Sequence, residues 1–177
     1  QGSSTGTFAG DITVSSTITS NGGTILVDTN NGSVTLTGTL DAGAGTITVT
    51  GDTNVSVGPM TTTNVAGITV TATNGSISDA GVNVLTTPLV SLNAGMNIGG
   101  LGAPIDTDVV SLYASTQGLA GTGDIYVADV GATGLAIETV TARYFSGAPV
   151  LSGGGQVRVN AEIPLPGFPP VLTDGTS

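Results

Sequence analysis

A short phrase returns along this chain: a glycine-led strand in which threonine alternates with valine, isoleucine or leucine. It reads GDITV at 10–14, GTILV at 23–27, GSVTLTG at 32–38, GTITVTG at 45–51 and AGITVTATNGSIS at 66–78. Weaker copies follow as GDIYV at 123–127 and GQVRVNA at 155–161. In Thr46-Ile47-Thr48-Val49-Thr50 the apolar residues face one side and the threonines the other. That is the period-2 pattern of a half-buried strand, and β-branched residues fit its pleated surface because their χ1 is already restricted.

The spacing of the phrase limits the fold further. Its centres at Ile12, Ile25, Val34 and Ile47 are separated by a long step, a short step and a long step again. One long and one short step together match the interval from Ile47 to Ile68, and again from Ile68 to Val90. Two strands and two turns therefore make a unit of about 22 residues, the length of one coil in a solenoid that buries its apolar face against its neighbours. The expected fold is all-β: a parallel β-helix with two-strand coils. Seven or eight such coils, stacked about 4.8 Å apart, would make a rod section roughly 35–40 Å long. The alternative is an antiparallel β-sandwich, because Asn21-Gly22, Asn31-Gly32 and Asn74-Gly75 are also the residues that close hairpins. The regular return of the two-step unit favours the coil.

The alternation nominates a core of Ile12, Val14, Ile25, Val27, Val34, Leu36, Ile47, Val49, Ile68, Val70, Ile77, Val90, Leu92, Val110, Leu112, Ile125, Val127, Ile137, Val140, Val157 and Val159. Residues 1–9 read as an N-terminal arm or cap, 10–162 as the β-helix and 163–177 as a Pro-rich tail or linker. Within the helix, 88–131 is looser, with Pro88, Pro104 and the run Gly99-Gly100-Leu101-Gly102 suggesting a longer excursion. The segment IPLPGFPP cannot continue a central strand, since its four prolines remove ladder donors.

Composition narrows function. Charged residues are 8% of the chain, against roughly 25% in an average domain. Lys and His are absent, Arg143 and Arg158 are the only bases, and the net charge is −10. A nucleic-acid partner needs a basic footprint, and so does an anionic membrane surface, so neither is expected. No stretch reaches the ~18 apolar residues of a membrane span. With no His and no Cys there is no base-activated nucleophile and no soft-ligand metal site of the usual kind. The glycine runs at 99–102 and 121–123 lack the spacing of a phosphate loop. Aromatics are 3% with no Trp, so the platforms that usually grip sugars in polysaccharide-cleaving enzymes are missing. The chain therefore reads as non-catalytic, with no cofactor.

Calcium needs clustered oxygen ligands. The acids placed closest to that requirement are Asp106 and Asp108, with Asp28 beside Asn30 and Asn31, and Asp124 near Asp129, as further candidates. None fits a calcium-binding repeat, and solvated turn carboxylates are the plainer reading. Three Asn-x-Ser triplets, at Asn31, Asn54 and Asn74, match the glycosylation pattern but also suit turns. Rows formed by Thr35/Thr37, Thr46/Thr48/Thr50 and Thr69/Thr71/Thr73 could stack into a hydroxyl–methyl grid of the kind ice-binding solenoids use. They lack the strict register such a plane demands, and outward-facing β-formers account for them.

The stretch from Gly75 to Ala142 adds a resemblance. NGSISDAGVNVLTTPLVSLNAGMNIGG, then APIDTDVVSLYAS, GTGDIYVAD and LAIETVTA, resemble the repeat region of filamentous-haemagglutinin-type adhesins, large bacterial surface proteins exported by two-partner secretion. The match in kind runs through that stretch, and the Gly/Thr strands before it are compatible. The resemblance implies a right-handed parallel β-helix, a secreted or cell-surface location, and a structural or adhesive role without catalysis. Low charge, absent lysine and richness in Gly, Thr and Asn set the same expectation of an extracellular repeat protein. The chain begins at Gln1 with no signal region in view, so a processed product or excised fragment is expected. A stacked coil presents open backbone edges at both end rungs. Expected partners are therefore further coils or other copies of the same protein, with host or matrix glycans as a second class. A self-assembling filament or sheath subunit, and a glycan- or ice-binding solenoid, remain the alternatives to an adhesive shaft.

Overall fold

The computed structural model describes residues 7–79, 81, 83–117, 123–130, 136–142, 150–153, 157–161 and 171–174, with side chains between Ala9 and Val130. It is all-β with stacked parallel coils, a β-solenoid of about five turns. Further strands continue its ladders past Val130. The first face is a ladder in which Ile25 pairs with Ile47, Ile47 with Ile68, Ile68 with Val90 and Val90 with Leu112. Each pairing advances the chain by one repeat of the period read from the sequence. On the second face Ile12–Val14, Val34–Leu36, Val55–Val57 and Ile77–Asp79 pair in order, and bridges carry the ladder through Ile98 to Ile125.

Every strand pair among the described residues is parallel. That rules out the antiparallel sandwich. The single antiparallel bridge among them, Gly100 to Ala103, closes one tight turn in which each amide donates to the other's carbonyl. The Asn-Gly dipeptides form coil corners instead of hairpins.

Each coil also carries a third strand beyond the two expected. It lies in the longer of the two steps: Ile18–Thr19, Leu40–Gly43 and Met60–Thr62 stack on one another. Two later strands, Val84–Ala94 and Ile105–Thr116, run round the corner from this third face to the first without a break. The apolar alternation on the third face is short, so the sequence carries no repeated phrase to mark it.

The core is the lumen of the coil. Ile47, Ile68, Val90 and Leu112 from the first face, Val34, Val55 and Ile77 from the second, and Leu40, Met60 and Leu85 from the third are all fully buried. Each such side chain contributes on the order of 1.5–3 kcal/mol of transfer free energy. Buried threonines complete the interior, at Thr29, Thr62, Thr87, Thr107 and Thr116. Their hydroxyls donate to carbonyls at the corners, as Thr29 does to Gly10 (2.6 Å) and Thr116 to Gly123 (2.9 Å). Among the described residues no buried side-chain polar atom lacks a partner.

Some positions differ from the expected core. Val110 is 54% exposed, and its neighbour Val109 points inward instead, because the strand turns its corner there. Ile12 and Val14 are only half-buried. Side chains of Ile137, Val140, Val157 and Val159 lie outside the described ones, although their backbone keeps the first-face ladder.

At the chain ends, Thr7–Phe8, which fall in the expected arm, already pair with Asp28–Thr29. Within the expected tail, Val171–Asp174 pairs with Val150–Gly153. The IPLPGFPP segment lies outside the described residues. Among the described residues no helix is long and apolar enough to cross a membrane.

Candidate functional site

Side chains that point away from the lumen on the first face form two columns. One runs Leu26, Thr48, Thr69, Ser91 and Tyr113; the other runs Asp28, Thr50, Thr71, Asn93 and Ser115. The backbone ladder fixes both columns, with neighbours one strand spacing apart, about 4.8 Å. The register is strict, contrary to the expectation from the sequence, but the identity is not. Thr48, Thr69, Thr50 and Thr71 form a two-by-two block, and the columns then change to serine, asparagine and tyrosine. Thr35 belongs to another surface, the second face, with Thr13 and Ser56. Thr73 lies past the end of its strand, at a corner.

Beside the second column the surface dips into a shallow depression of about 130 Å³ lined by Thr71, Thr73, Asn93, Ser115 and Gln117 with Ala72, Ala94 and Gly95. Among the described residues every polar side-chain group in that lining is a hydroxyl or an amide, able to donate and accept. Asn93 already donates through Nδ2 to the Ser91 hydroxyl (3.4 Å). Tyr113, 42% exposed, stands on the same strand as Ser115, two positions away and so on the same side. The next strand carries an extra residue opposite it. Leu112 pairs with Ile137 and Tyr113 with Thr139, which leaves Glu138 as the unpaired residue of a bulge. Bulges bend a strand and re-aim its side chains.

The calcium candidates fall elsewhere. Asp106 and Asp108 alternate with buried Thr107 on the third-face part of the Ile105–Thr116 strand. Asp106 pairs across to Val84 and Ala128, and Asp108 to Thr86. Partial burial, and then the neighbouring Asp79 carboxylate, hold the Asp106 carboxyl above its usual range. Asp79 is occupied as the acceptor of a small turn, taking bonds from the Gly81 amide (2.9 Å) and Asn83 Nδ2 (2.8 Å). Asp108 edges a second, open depression of about 270 Å³ with Thr86, Thr87, Pro88 and Val110. Asp129 accepts from the Val109 amide (3.4 Å) and the Thr107 hydroxyl (3.5 Å). Among the described residues no group of three or more acids converges as a metal site would need.

The remaining polar side chains between the first and second faces clip one coil to the next. Asp11 accepts from the Ser33 amide (2.8 Å), Asn54 Oδ1 from the Ser76 amide (2.9 Å), and Asn97 Oδ1 from the Gly123 and Asp124 amides (2.7 and 3.0 Å). Two of the three Asn-x-Ser asparagines are engaged there, because Asn74 also donates to Asp52 (3.1 Å). These bonds satisfy the amides that each turn frees from the ladder. No protein-family model, curated protein or solved structure matches this chain.

Sequence reasoning identified the threonine block but missed Asn93, Tyr113 and Gln117. Laying the chain out at the steps of the ladder puts Thr48, Thr69, Ser91 and Tyr113 in one column. The signal was the period, and the missing piece was its continuation beyond Val90.

Proposed function

We propose that this chain is a segment of a non-catalytic, extracellular structural and adhesive shaft belonging to a large bacterial surface protein. The observation that carries the reading is the continuous parallel ladder on the first face, from Thr7–Phe8 through Leu112 to Val157. A backbone ladder of this kind resists pulling and proteolysis because no rung opens without breaking bonds to both neighbours. The sequence supports the absence of catalysis, since no His or Cys is present to act as base or nucleophile. The filamentous-haemagglutinin-type resemblance supplies the surface location and the adhesive role.

The end rungs motivate the partner assignment. Ile12 and Val14 are half-buried where Val34 and Leu36, one rung on, are fully buried, and Ile18 is 39% exposed. Another coil stacked on that end would cover these apolar groups and pair the edge amides. Further coils of the same protein are the natural occupant of a shaft; a second copy would make the chain a filament subunit. Immunogold labelling of intact source cells with antibody against this segment tests the shaft. The expected result is label outside the envelope on unpermeabilised cells. Label that appears only after permeabilisation overturns the reading.

A further inference from the structure

We propose that the outer side of the first face, from Thr71 through Asn93 to Ser115 with Tyr113 beside them, binds a neutral polysaccharide chain. This adds a binding surface to the shaft reading and does not depend on it. Three observations converge. Among the described residues the polar side chains lining the depression are hydroxyls and amides: Thr71, Thr73, Asn93, Ser115 and Gln117. Groups that both donate and accept match the hydroxyls of a sugar, which do the same. Among the described residues no ionisable side chain lies in that lining, and the chain carries −10 overall, which disfavours an anionic glycan. Among the described residues a cationic ligand has no carboxylate in the depression to pair with.

Tyr113 decides between a sugar and a water-ordering surface. An ice-like template requires the columns to stay flat, and a tyrosine 42% exposed breaks the plane of hydroxyls. For a sugar the ring is an asset, because the C–H face of a pyranose packs on an aromatic ring while its hydroxyl edge reaches polar neighbours. Asn93 and Tyr113 occupy diagonal positions on adjacent strands, roughly 8 Å apart from strand spacing and rise. One sugar ring lying over Tyr113 therefore brings its edge to Asn93 and Ser115. The columns continue along the rod, so a linear polymer gains contacts from successive rungs.

The test is amide NMR titration of the full chain with neutral hexasaccharides of glucose, mannose and N-acetylglucosamine, and with a heparin hexasaccharide as the anionic counterpart. The expected result is shift changes centred on Asn93, Tyr113 and Ser115 with at least one neutral sugar and none with heparin. Tyr113→Thr, a β-former at an exposed site, weakens that binding by roughly five- to tenfold, and Tyr113→Phe keeps most of it. Asn93→Ala weakens it by about threefold through loss of one hydrogen-bonding group. No shift from any neutral sugar up to about 10 mM, a Kd scale at which a lone weak contact would register, overturns the proposal. So does binding that survives both Tyr113→Thr and Asn93→Ala in folded protein, binding of heparin at the same residues, or inhibition of ice recrystallisation that increases in Tyr113→Thr.

Discussion

The corner between the third and first faces is made in two ways within one molecule. In the coils up to Gly67 the chain leaves the ladder there: Ala44-Gly45-Thr46 and Thr63-Asn64-Val65-Ala66-Gly67 separate one strand from the next. In the next two coils, from Val84 to Thr116, it does not stop there. The strands Val84–Ala94 and Ile105–Thr116 bend through Thr87-Pro88-Leu89 and Val109-Val110-Ser111 and remain paired. The broken corners satisfy their amides with an asparagine turn: Asn64 Nδ2 donates to the Ala44 carbonyl (2.7 Å) and Asn64 Oδ1 accepts from the Ala66 amide (2.8 Å). Both corners also use a buried hydroxyl: at the broken one Thr62 donates to the Gly43 carbonyl (3.1 Å) and accepts from the Asn64 amide (3.0 Å). At the bent one Thr87 donates to the Leu89 carbonyl (3.1 Å) and accepts from the Leu89 amide (3.4 Å), and Pro88 between them has no amide to satisfy. Backbone that turns away from its ladder must find partners; a buried threonine serves both corners, and the broken one adds the asparagine turn.

The junction of the two styles is where the comparison breaks most readily. Gly67 ends the second of these broken corners with φ +69°, and a Cβ there would overlap the Leu89 carbonyl of the bent corner stacked on it. Gly67→Ala combines a left-handed backbone penalty with a clash against a backbone that cannot move aside, about 3 kcal/mol in all. Gly23→Ala, at the same corner in an earlier coil, meets nothing nearer than 3.7 Å and has an ordinary φ, so it changes stability by less than about 0.5 kcal/mol. Urea unfolding of the two variants checks this. Equal effects would mean that overlap with the stacked Leu89 carbonyl does not set the glycine requirement at Gly67.

Next in size is the hydroxyl clip. Thr87→Val keeps the shape but leaves the Leu89 amide without its side-chain partner in a buried corner, a loss of about 1–2 kcal/mol. Hydrogen exchange at Leu89 should speed up in this variant more than at Val70, which lies in mid-strand on the same face. Uniform acceleration of both would show that the bend has no separate stability. The valines at the following bend make a finer comparison. Val109→Thr places a hydroxyl where the side chain is 2% exposed and costs about 1–2 kcal/mol, whereas Val110→Thr, at 54% exposed, stays within about 0.5 kcal/mol. Thermal melts of the pair read this difference directly, and reversed effects would place the wrong valine in the lumen.

The valine pair also shows how far the sequence could be read. Strict alternation picks out the inward residues wherever a strand ends at a glycine or a turn, as at Ile47 and Val49 or Ile68 and Val70. Continued past Pro88, the same alternation selects Val110, because a bent strand keeps its pairing but shifts which neighbour faces inward. The third face escaped for a related reason. Leu40, Ala42 and Met60 are buried in segments too short to show a period, and Leu85 lies where a long strand has not yet turned its corner. The polar columns were half legible. Residue type revealed the threonines, but Asn93 and Tyr113 join them only through a register that the blurred second half of the chain concealed.

The smallest expected effect tests the electrostatics of the bent region. Asp106 lies on a bent strand, and burial followed by the Asp79 carboxylate raises its pKa. The folded chain then holds the Asp106 proton more tightly than the unfolded chain, whose carboxyl titrates near the ordinary value of about 3.9. Stability from this group is therefore fully present below that value and is lost as pH rises through the folded pKa, the reverse of a salt-bridged aspartate. Asp106→Asn removes the penalty: Tm rises slightly at about pH 7 and is unchanged near pH 3, where wild type is already protonated. Asp79→Asn should reproduce part of the neutral-pH gain through Asp106, set against loss of the charge that accepts the Gly81 and Asn83 bonds. A Tm gain for Asp106→Asn that is the same at both pH values would trace it to packing, and the two carboxylates would then carry no mutual repulsion worth relieving.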